Sequence, residues 1–280
     1  MATEIDHVVF NAKTDLDELE TVFGRLGFTL SSRGFHSLGS MNHVAMFRQG
    51  YLELIGVPPE RPDARPEVSQ GRTGIDGVVF QTEDADATRN KLLRLGFYPT
   101  EVQEFSRPVE VDGTTERARF RTVRLDRSPF TGGRVYFCQH LTPELVWQEG
   151  TMEHPNRSQG IREVVVVSAH PTEQARLLAG LAGTEVELVG QDLSVSFGAC
   201  QVRLVSPRSY QQTYGEAALA LHDPAEFFGA VVIECDDPAH VVRLAPMDGW
   251  LVTPGMTGSI RLASPRHRIL IEFRTPRSWQ

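Results

Sequence analysis

Three side chains that could bind a metal ion lie inside strongly apolar stretches of the sequence. His7 lies in IDHVVF, Glu53 in YLELIGV and His140 at the end of RVYFCQH. A carboxylate in such a stretch is costly to bury unless it is paired, coordinated to a metal or protonated. Two imidazoles and one carboxylate suit Fe(II), Mn(II), Ni(II), Co(II) or Zn(II), with positions left for water and substrate. The residue types therefore suggest a divalent-metal site assembled from distant parts of the chain.

The elements that would position these residues recur along the sequence. IDHVVF at residue 5 and IDGVVF at residue 75 are each followed by a polar break, an amphipathic helix and the ending RLGF. Gly27 and Gly96, in those endings, can stop both helices in the left-handed conformation. Weaker copies begin at Ile161 and Phe228, and every copy continues into short strands. The pattern predicts a β-α-β-β-β unit that is used four times.

Four such units in two pairs resemble the vicinal oxygen chelate superfamily, which includes glyoxalases, bleomycin-resistance proteins and extradiol dioxygenases. The segments IDHVVF, NHVAMF and YLELIGV look like its glyoxalase-like branch in particular. The resemblance implies an α+β fold, in which paired units form two half-closed, curved mixed β-sheet domains with helices on the outer face. It also implies a divalent metal in the concavity, held by residues from the first and last strands of each unit.

A polar segment at 149–160 separates the two pairs of units and is typical of a linker. We therefore predict one glyoxalase-like domain over residues 1–150, which carries the metal site, and a second over residues 151–280. Four-unit dioxygenases of the superfamily usually keep their metal in the second pair, with two histidines and a glutamate. This chain departs from that pattern, and we expect its chemistry in the first domain.

The second pair has different residues at the positions that would bind metal. By alignment these positions are Glu163, Arg203, Ala230 and Glu272. A guanidinium among ligand positions repels a cation and can pair with the two carboxylates. We therefore expect the second domain to lack a metal.

Alternation of side chains along the strands predicts which residues face the concavity. The helix-covered side is assigned to Val8, Phe10, Leu52, Leu54, Val135 and Phe137. Their neighbours then point inward, Ile5 included, so that His7, Glu53 and His140 converge as metal ligands. Gln139 replaces His140 if the register is shifted by one residue. Gly77, the counterpart of His7 in the second unit, would leave room for substrate.

Several other residues are candidates for catalysis or substrate binding. Glu53 could remain a ligand or act as a base, and His43 or His36 could act as acid or base because imidazole titrates near neutral pH. Arg119 and Arg121 alternate along one strand and could either clamp an anionic group or form a solvated edge. Trp147 could form an apolar wall or be an ordinary core residue. The full substrate-binding set is Asn42, Arg119, Arg121, Tyr136 and Trp147.

The composition excludes several classes of protein. The formal charge of -8, without a strong basic cluster, argues against a nucleic-acid partner. No apolar run approaches the roughly 18 residues of a membrane span. Three cysteines are too few for a disulfide framework, so we expect a cytoplasmic protein. The partner expected is a small-molecule substrate, and the sequence leaves open whether the chain also forms a homodimer.

The function that these patterns favour is a divalent-metal-dependent enzyme acting on a small oxygenated organic molecule. The metal would chelate two adjacent oxygens and stabilise an enolate-type charge, as in a lyase or isomerase. Two alternatives remain at this level. One is a ring-cleaving dioxygenase, and the other is a metal-free protein that binds a small molecule, as in the resistance branch of the superfamily.

Overall fold

The structure is a computed structural model that describes residues 3–111, 113–126, 131–221, 226–245 and 248–276. Within these ranges the first half contains β1 (Ile5–Lys13), α1 (Leu16–Arg25), β2 (Gly34–Phe35), β3 (Met41–Met46), β4 (Tyr51–Gly56), α2 (Pro66–Ser69), β5 (Gly74–Gln81), α3 (Ala85–Arg94), β6 (Gln103–Val111), β7 (Thr114–Arg124), β8 (Arg134–His140) and a 3-10 helix (Pro143–Leu145). The second half contains β9 (Ser158–Val167), α4 (Pro171–Ala182), β10 (Val186–Val189), β11 (Asp192–Phe197), β12 (Cys200–Val205), α5 (Pro207–Tyr214), α6 (Glu216–Ala220), β13 (Phe227–Cys235), α7 (Pro238–Leu244), β14 (Leu251–Pro254), a 3-10 helix (Met256–Gly258), β15 (Ile260–Ser264) and β16 (Ile269–Arg274).

The strands form two eight-stranded mixed sheets with the same internal order. The first sheet runs β2-β3-β4-β1-β5-β8-β7-β6, and the second runs β10-β11-β12-β9-β13-β16-β15-β14. In each sheet the first strands of two units pair antiparallel, while each first strand pairs parallel with the last strand of its own unit. This arrangement confirms the predicted α+β fold of four β-α-β-β-β units.

The edges of the first sheet approach each other and nearly close it. The backbone amide of Ser37, just after β2, donates to the carbonyl of Ser106 on β6 at 2.9 Å. The amide of Ser106 donates in return to the Ser37 hydroxyl at 3.2 Å. These bonds join the two outermost strands, so that the concave face of the first sheet surrounds a cavity.

Alternation assigns the two faces of the first sheet as predicted, except at its very beginning. The six apolar residues expected on the helix side, Val8, Phe10, Leu52, Leu54, Val135 and Phe137, lie in the core beneath the helices. Ile5 was expected inside the cavity but belongs to this same core. The reason is a β-bulge at Asp6, an extra residue between the paired positions Ile5 and His7 of β1. The bulge reverses the alternation of side chains, so that Ile5 and His7 face opposite sides of the sheet.

The helix-covered faces of the two sheets share one hydrophobic core. Phe80 of the first sheet stacks on Phe197 of the second, with ring centroids 4.5 Å apart. The connection between the halves is also held in place, because the Asn156 side chain donates to the Leu26 carbonyl at 2.9 Å and the imidazole of His154 bonds the Met46 carbonyl at 2.8 Å. The polar linker predicted at 149–160 therefore includes buried residues, and β9 begins within it.

The concave face of the second sheet is filled by helices. Helices α1, α3, α4 and α7 pack in the shared core, as predicted for the outer face. Helices α5 and α6 do not, because Tyr210 and Tyr214 pack with Val165 and Ala230 on the concave side. The Tyr210 hydroxyl donates to the Gly229 carbonyl at 2.8 Å. The two halves thus share a topology but differ in what occupies their concave faces.

Candidate metal and substrate site

The β-bulge in β1 places Asp6 beside His7 and fixes the imidazole. Asp6 Oδ1 lies 2.5 Å from His7 Nδ1, and Asp6 Oδ2 lies 2.8 Å from His140 Nε2. Burial alone would raise the pKa of Asp6, but the two imidazoles outweigh burial and hold that pKa below its usual range. A carboxylate that accepts from Nδ1 leaves the lone pair of His7 on Nε2. His7 therefore presents Nε2 to the cavity.

Glu53 lies on β4 directly in front of this nitrogen. Its Oε2 is 3.5 Å from His7 Nε2, and its Oε1 accepts a 2.8 Å hydrogen bond from the Asn42 side chain. The carboxylate is buried, which favours the neutral acid. The neighbouring imidazoles of His7 and His36 and the Asn42 bond outweigh that effect and lower the pKa of Glu53. The cavity thus contains an ionised carboxylate with one oxygen facing the Nε2 atom of His7.

His36 approaches the other oxygen of the same carboxylate. Its Nε2 is 3.9 Å from Glu53 Oε1, and its Nδ1 bonds the Ser40 hydroxyl at 2.8 Å. Burial, together with the positive charges of Arg65 and Arg107, lowers the pKa of His36 to about 3 against the opposing effect of Glu53. His36 is therefore a neutral hydrogen-bonding group at neutral pH, and its role as an acid or base stays a prediction.

Tyr136 takes the place in the second unit that Glu53 takes in the first. Glu53 pairs with Val9, and Tyr136 pairs with Val79, the residue equivalent to Val9. The Tyr136 hydroxyl is 3.4 Å from His7 Nε2. Burial and then the Glu53 charge raise the pKa of Tyr136, so the hydroxyl stays protonated. His7, Glu53 and Tyr136 therefore converge on one point of the cavity.

His140 does not join this point, in contrast to the predicted ligand set. It lies four residues beyond Tyr136 on β8 and is held by Asp6 behind His7. Among the described residues, Asp6, Cys138 and His140 form a group whose possible metal-binding atoms all lie within 4.8 Å of one another. The register itself was right, because the Gln139 side chain points away from the cavity and donates to the Glu83 carbonyl at 2.6 Å.

Gly77 does not open space for a substrate. It pairs with Val9 rather than with His7. A Cβ atom at Gly77 would lie 3.3 Å from Val9 Cγ2, so the valine already fills the space above the glycine. The glycine permits close packing of the two central strands.

His43 lies on the helix side of the sheet and not in the cavity. Asn42 and Val44 line the cavity, and alternation turns the residue between them outward. The Nδ1 atom of His43 bonds the Ser31 carbonyl at 2.9 Å, and its Nε2 lies 3.1 Å from Glu20. Of the predicted pair, Asn42 is therefore the cavity residue, and the expected catalytic position of His43 is wrong.

The predicted anion clamp and apolar wall also lie elsewhere. Arg119 pairs with Glu104 and Arg121 with Asp86 on the outer face of β7, at 2.7 and 2.8 Å. The exposed Arg119 fits the solvated alternative that the sequence left open, whereas Arg121 is half-buried beside α3. Trp147 packs its ring 4.9 Å from that of His140 and donates to the Phe47 carbonyl at 3.2 Å, so it supports the site from behind.

Three arginines that sequence reasoning missed line the cavity instead: Arg65, Arg107 and Arg124. The cavity is narrow, with a volume of about 30 Å³. Alternation in EFSRPVEV could have identified Arg107, because Val109 lies in the cavity-side core and Phe105 packs against it. Arg65 precedes α2 in a connection without periodicity, so no sequence signal pointed to it.

In the second half, the positions equivalent to the site form ion pairs. Arg203 Nε lies 2.9 Å from Glu163 Oε1, as predicted, but its second carboxylate partner is Asp192 at 3.5 Å. The predicted pair with Glu272 is wrong, because Arg261 and Arg274 hold that residue at 3.3 and 2.9 Å.

Residues 5–182 match the family described as "Glyoxalase-like domain". No curated protein matches the chain significantly. Among solved structures, a hypothetical protein from Staphylococcus aureus has a TM-score of 0.67 at 14% identity, over 98% of this chain and 100% of that one. A variant of 4-hydroxymandelate synthase from Streptomyces coelicolor has a TM-score of 0.56 at 14% identity, over 100% and 95%. A fusion of a xylose isomerase-like TIM barrel and a 4-hydroxyphenylpyruvate dioxygenase has the same score and identity, over 100% and 50%. These structures share the fold.

No helix in the described ranges is long and apolar enough to cross a membrane.

Proposed function

Because the chain belongs to the glyoxalase-like domain family, we propose that it is a divalent-metal-dependent enzyme acting on a small oxygenated molecule in the cavity of its first half. The observation that carries the proposal is the line of contacts from Asp6 through His7 to Glu53. Metal-binding histidines almost always donate their second ring N–H to a carboxylate, a backbone carbonyl or a water molecule, which fixes the tautomer and orients the ring. Asp6 is such a carboxylate, and it leaves Nε2 facing an ionised, buried Glu53.

The donor atoms are spaced as ligands of one ion would be. His7 Nε2 is 3.5 Å from Glu53 Oε2 and 3.4 Å from the Tyr136 hydroxyl. With metal bonds of about 2.0–2.2 Å, two ligands at tetrahedral or octahedral angles lie roughly 3.0–3.5 Å apart. His7 and Glu53 would hold the ion, and Tyr136 would stand beside it. The cluster of Asp6, Cys138 and His140 suits a metal less well. Burial raises the pKa of the Cys138 thiol, and Asp6 already accepts hydrogen bonds from two imidazoles.

The protein groups around this point would prepare a substrate for proton transfer. When bound, the ion would stabilise negative charge that develops on substrate oxygens. The protonated Tyr136 hydroxyl can donate a hydrogen bond into the cavity, and neutral His36 can do so beside Glu53. Among the described residues that line the cavity, Glu53 is the one ionised carboxylate, so it is the group that could leave the ion and accept a proton from carbon.

The donor set favours lyase or isomerase chemistry over ring cleavage by oxygen. Non-haem iron oxygenases commonly use two histidines and one carboxylate with open positions. Here one histidine, His7, faces the carboxylate of Glu53, while His140 is engaged by Asp6. The set is thus one imidazole, one carboxylate and a phenol.

The proposal is tested by stripping the protein of metal, reloading it separately with each first-row divalent ion, and screening diols, α-keto compounds and thiol adducts. We expect turnover by at least one loaded form without oxygen consumption. Oxygen uptake on catechols would instead support the dioxygenase. A protein that binds none of the ions yet binds a small molecule would support the metal-free alternative.

A further inference from the structure

Arg107 is a buried cation without a partner in the cavity. Its residue surface is 6% exposed, and it lines the cavity from β6. Within the part of the chain that the structure describes, no hydrogen bond or ion pair reaches its guanidinium. The other two cavity arginines differ, because Arg65 and Arg124 each lie 2.8 Å from the same oxygen of Glu67. Arg107 therefore bears a desolvation cost that no protein anion offsets directly.

The surrounding structure makes room for this side chain. A Cβ atom at Gly34 would lie 3.0 Å from Arg107 Cδ, 3.2 Å from its Nη1 and 2.4 Å from Asn42 Oδ1. Glycine at this position thus allows the guanidinium to cross the seam between β2 and β6 beside Asn42. The same asparagine donates to Glu53, so Arg107 and the proposed metal ligands are neighbours along one wall.

The three arginines of the cavity differ in their access to a carboxylate. Arg65 and Arg124 share Glu67, and each lies 2.8 Å from its Oε1. Asp6 is also negatively charged, but it lies behind His7 and is bonded to two imidazoles. Burial lowers the pKa of Arg107 despite the opposing influence of Tyr51 and Glu53. A bound anion would give Arg107 the direct partner that the described residues do not supply.

We propose that Arg107 binds the carboxylate of a small monoanionic substrate, whose remaining oxygen atoms lie toward His7 and Glu53. The inference rests on the proposed function, since it names the substrate class of the same cavity. A planar guanidinium can form two parallel hydrogen bonds to a carboxylate. The narrow cavity favours a flat carboxylate over a larger, tetrahedral phosphate dianion. The anion clamp predicted for Arg119 and Arg121 thus belongs to Arg107.

The test compares Arg107→Met and Arg107→Lys with the wild type and with Arg119→Met, which removes an exposed arginine paired to Glu104. The probes are pyruvate, its uncharged analogue pyruvamide and inorganic phosphate, titrated by calorimetry at millimolar concentration into metal-stripped protein. We expect pyruvate to bind the wild type and Arg119→Met with the same affinity. It should bind Arg107→Met about tenfold or more weakly, because a charge-assisted hydrogen bond is lost. Arg107→Lys should lie between them, and pyruvamide should bind no variant well.

Thermal unfolding separates a binding role from a structural one. Removing an unpaired buried charge should leave the melting temperature of Arg107→Met equal to or above that of the wild type. A marked fall in melting temperature would mean that Arg107 supports the fold. That fall would overturn the inference, and so would a pyruvate affinity that is the same in Arg107→Met as in the wild type. The inference is also overturned if pyruvamide binds as well as pyruvate, if phosphate binds better than pyruvate, or if pyruvate does not bind.

The inference and the proposed function can fail separately. Pyruvate binding that depends on Arg107, in a protein that takes up no divalent ion, would uphold the carboxylate site and overturn the metal enzyme. Metal uptake at His7 and Glu53 together with pyruvate binding that is indifferent to Arg107 would do the reverse. Repeating the titrations on metal-loaded protein then shows whether the two ligands assist each other.

Discussion

His7→Gln and Glu53→Gln are expected to fold normally but to bind a divalent ion about a hundredfold or more weakly than the wild type. Glutamine keeps much of the shape and hydrogen-bonding capacity of either residue but does not supply a comparable metal-binding atom. Both side chains are buried and reach one point, so the loss of either leaves an incomplete ligand set. Isothermal titration of metal-stripped variants, with circular dichroism to confirm folding, measures the effect.

Three further variants make this prediction selective. Asp6→Asn should weaken binding by roughly 10- to 100-fold, because it alters the group that orients His7. His43→Gln changes a buried histidine on the opposite face of the sheet and should leave affinity unchanged. His140→Gln should have a smaller effect than His7→Gln. If His140→Gln and His7→Gln were equally severe, or if Glu53→Gln had no effect, the ion would not bind where we place it.

Arg203→Ala in the second half is expected to lower the free energy of unfolding by about 3–5 kcal/mol, as breaking a buried ion pair usually does. The arginine lies 2.9 Å from Glu163 and 3.5 Å from Asp192, and it donates to the Tyr214 hydroxyl at 3.0 Å. Its removal would leave two carboxylates close together beneath α5. Chemical denaturation monitored by fluorescence or circular dichroism measures the loss.

The matched control is Arg243→Ala, which removes an exposed arginine beside Asp237. Exposed pairs contribute about 0–1 kcal/mol, so this variant should stay close to the wild type. Metal affinity should be unchanged in both variants. A small loss for Arg203→Ala would show that the cluster is solvated, and a loss of metal binding would place the site in the second half.

The internal repeat and the family resemblance were sufficient to predict the fold, and strand alternation was sufficient to predict that His7 and Glu53 face the cavity. Glu53 lies between Leu52 and Leu54, and His7 precedes Val8; the helix-side core requires these apolar residues, so the direction of His7 and Glu53 was determined. The bulge could not be predicted in this way. Asp6 lies one residue from His7 and should point to the other face, yet an extra residue in β1 brings both side chains together.

The remaining errors arise where several strands must be paired before directions can be assigned. The counterpart of Glu53 is Tyr136, which follows from the pairing of β5 with β8 and not from residue type. Arg107 belongs to β6, whose distance from His7 in sequence concealed its position at the closing seam. Helices α5 and α6 occupy the second concave face because Tyr210 and Tyr214 are apolar enough to fill it, which no local pattern shows.

The measurement that tests the central claim most directly is anomalous X-ray diffraction from crystals of the wild-type protein loaded with a first-row divalent ion. We predict one strong peak per chain within bonding distance of both His7 Nε2 and Glu53, next to the Tyr136 hydroxyl. A peak among Asp6, Cys138 and His140, a peak in the second half, or no peak despite loading would contradict the assignment.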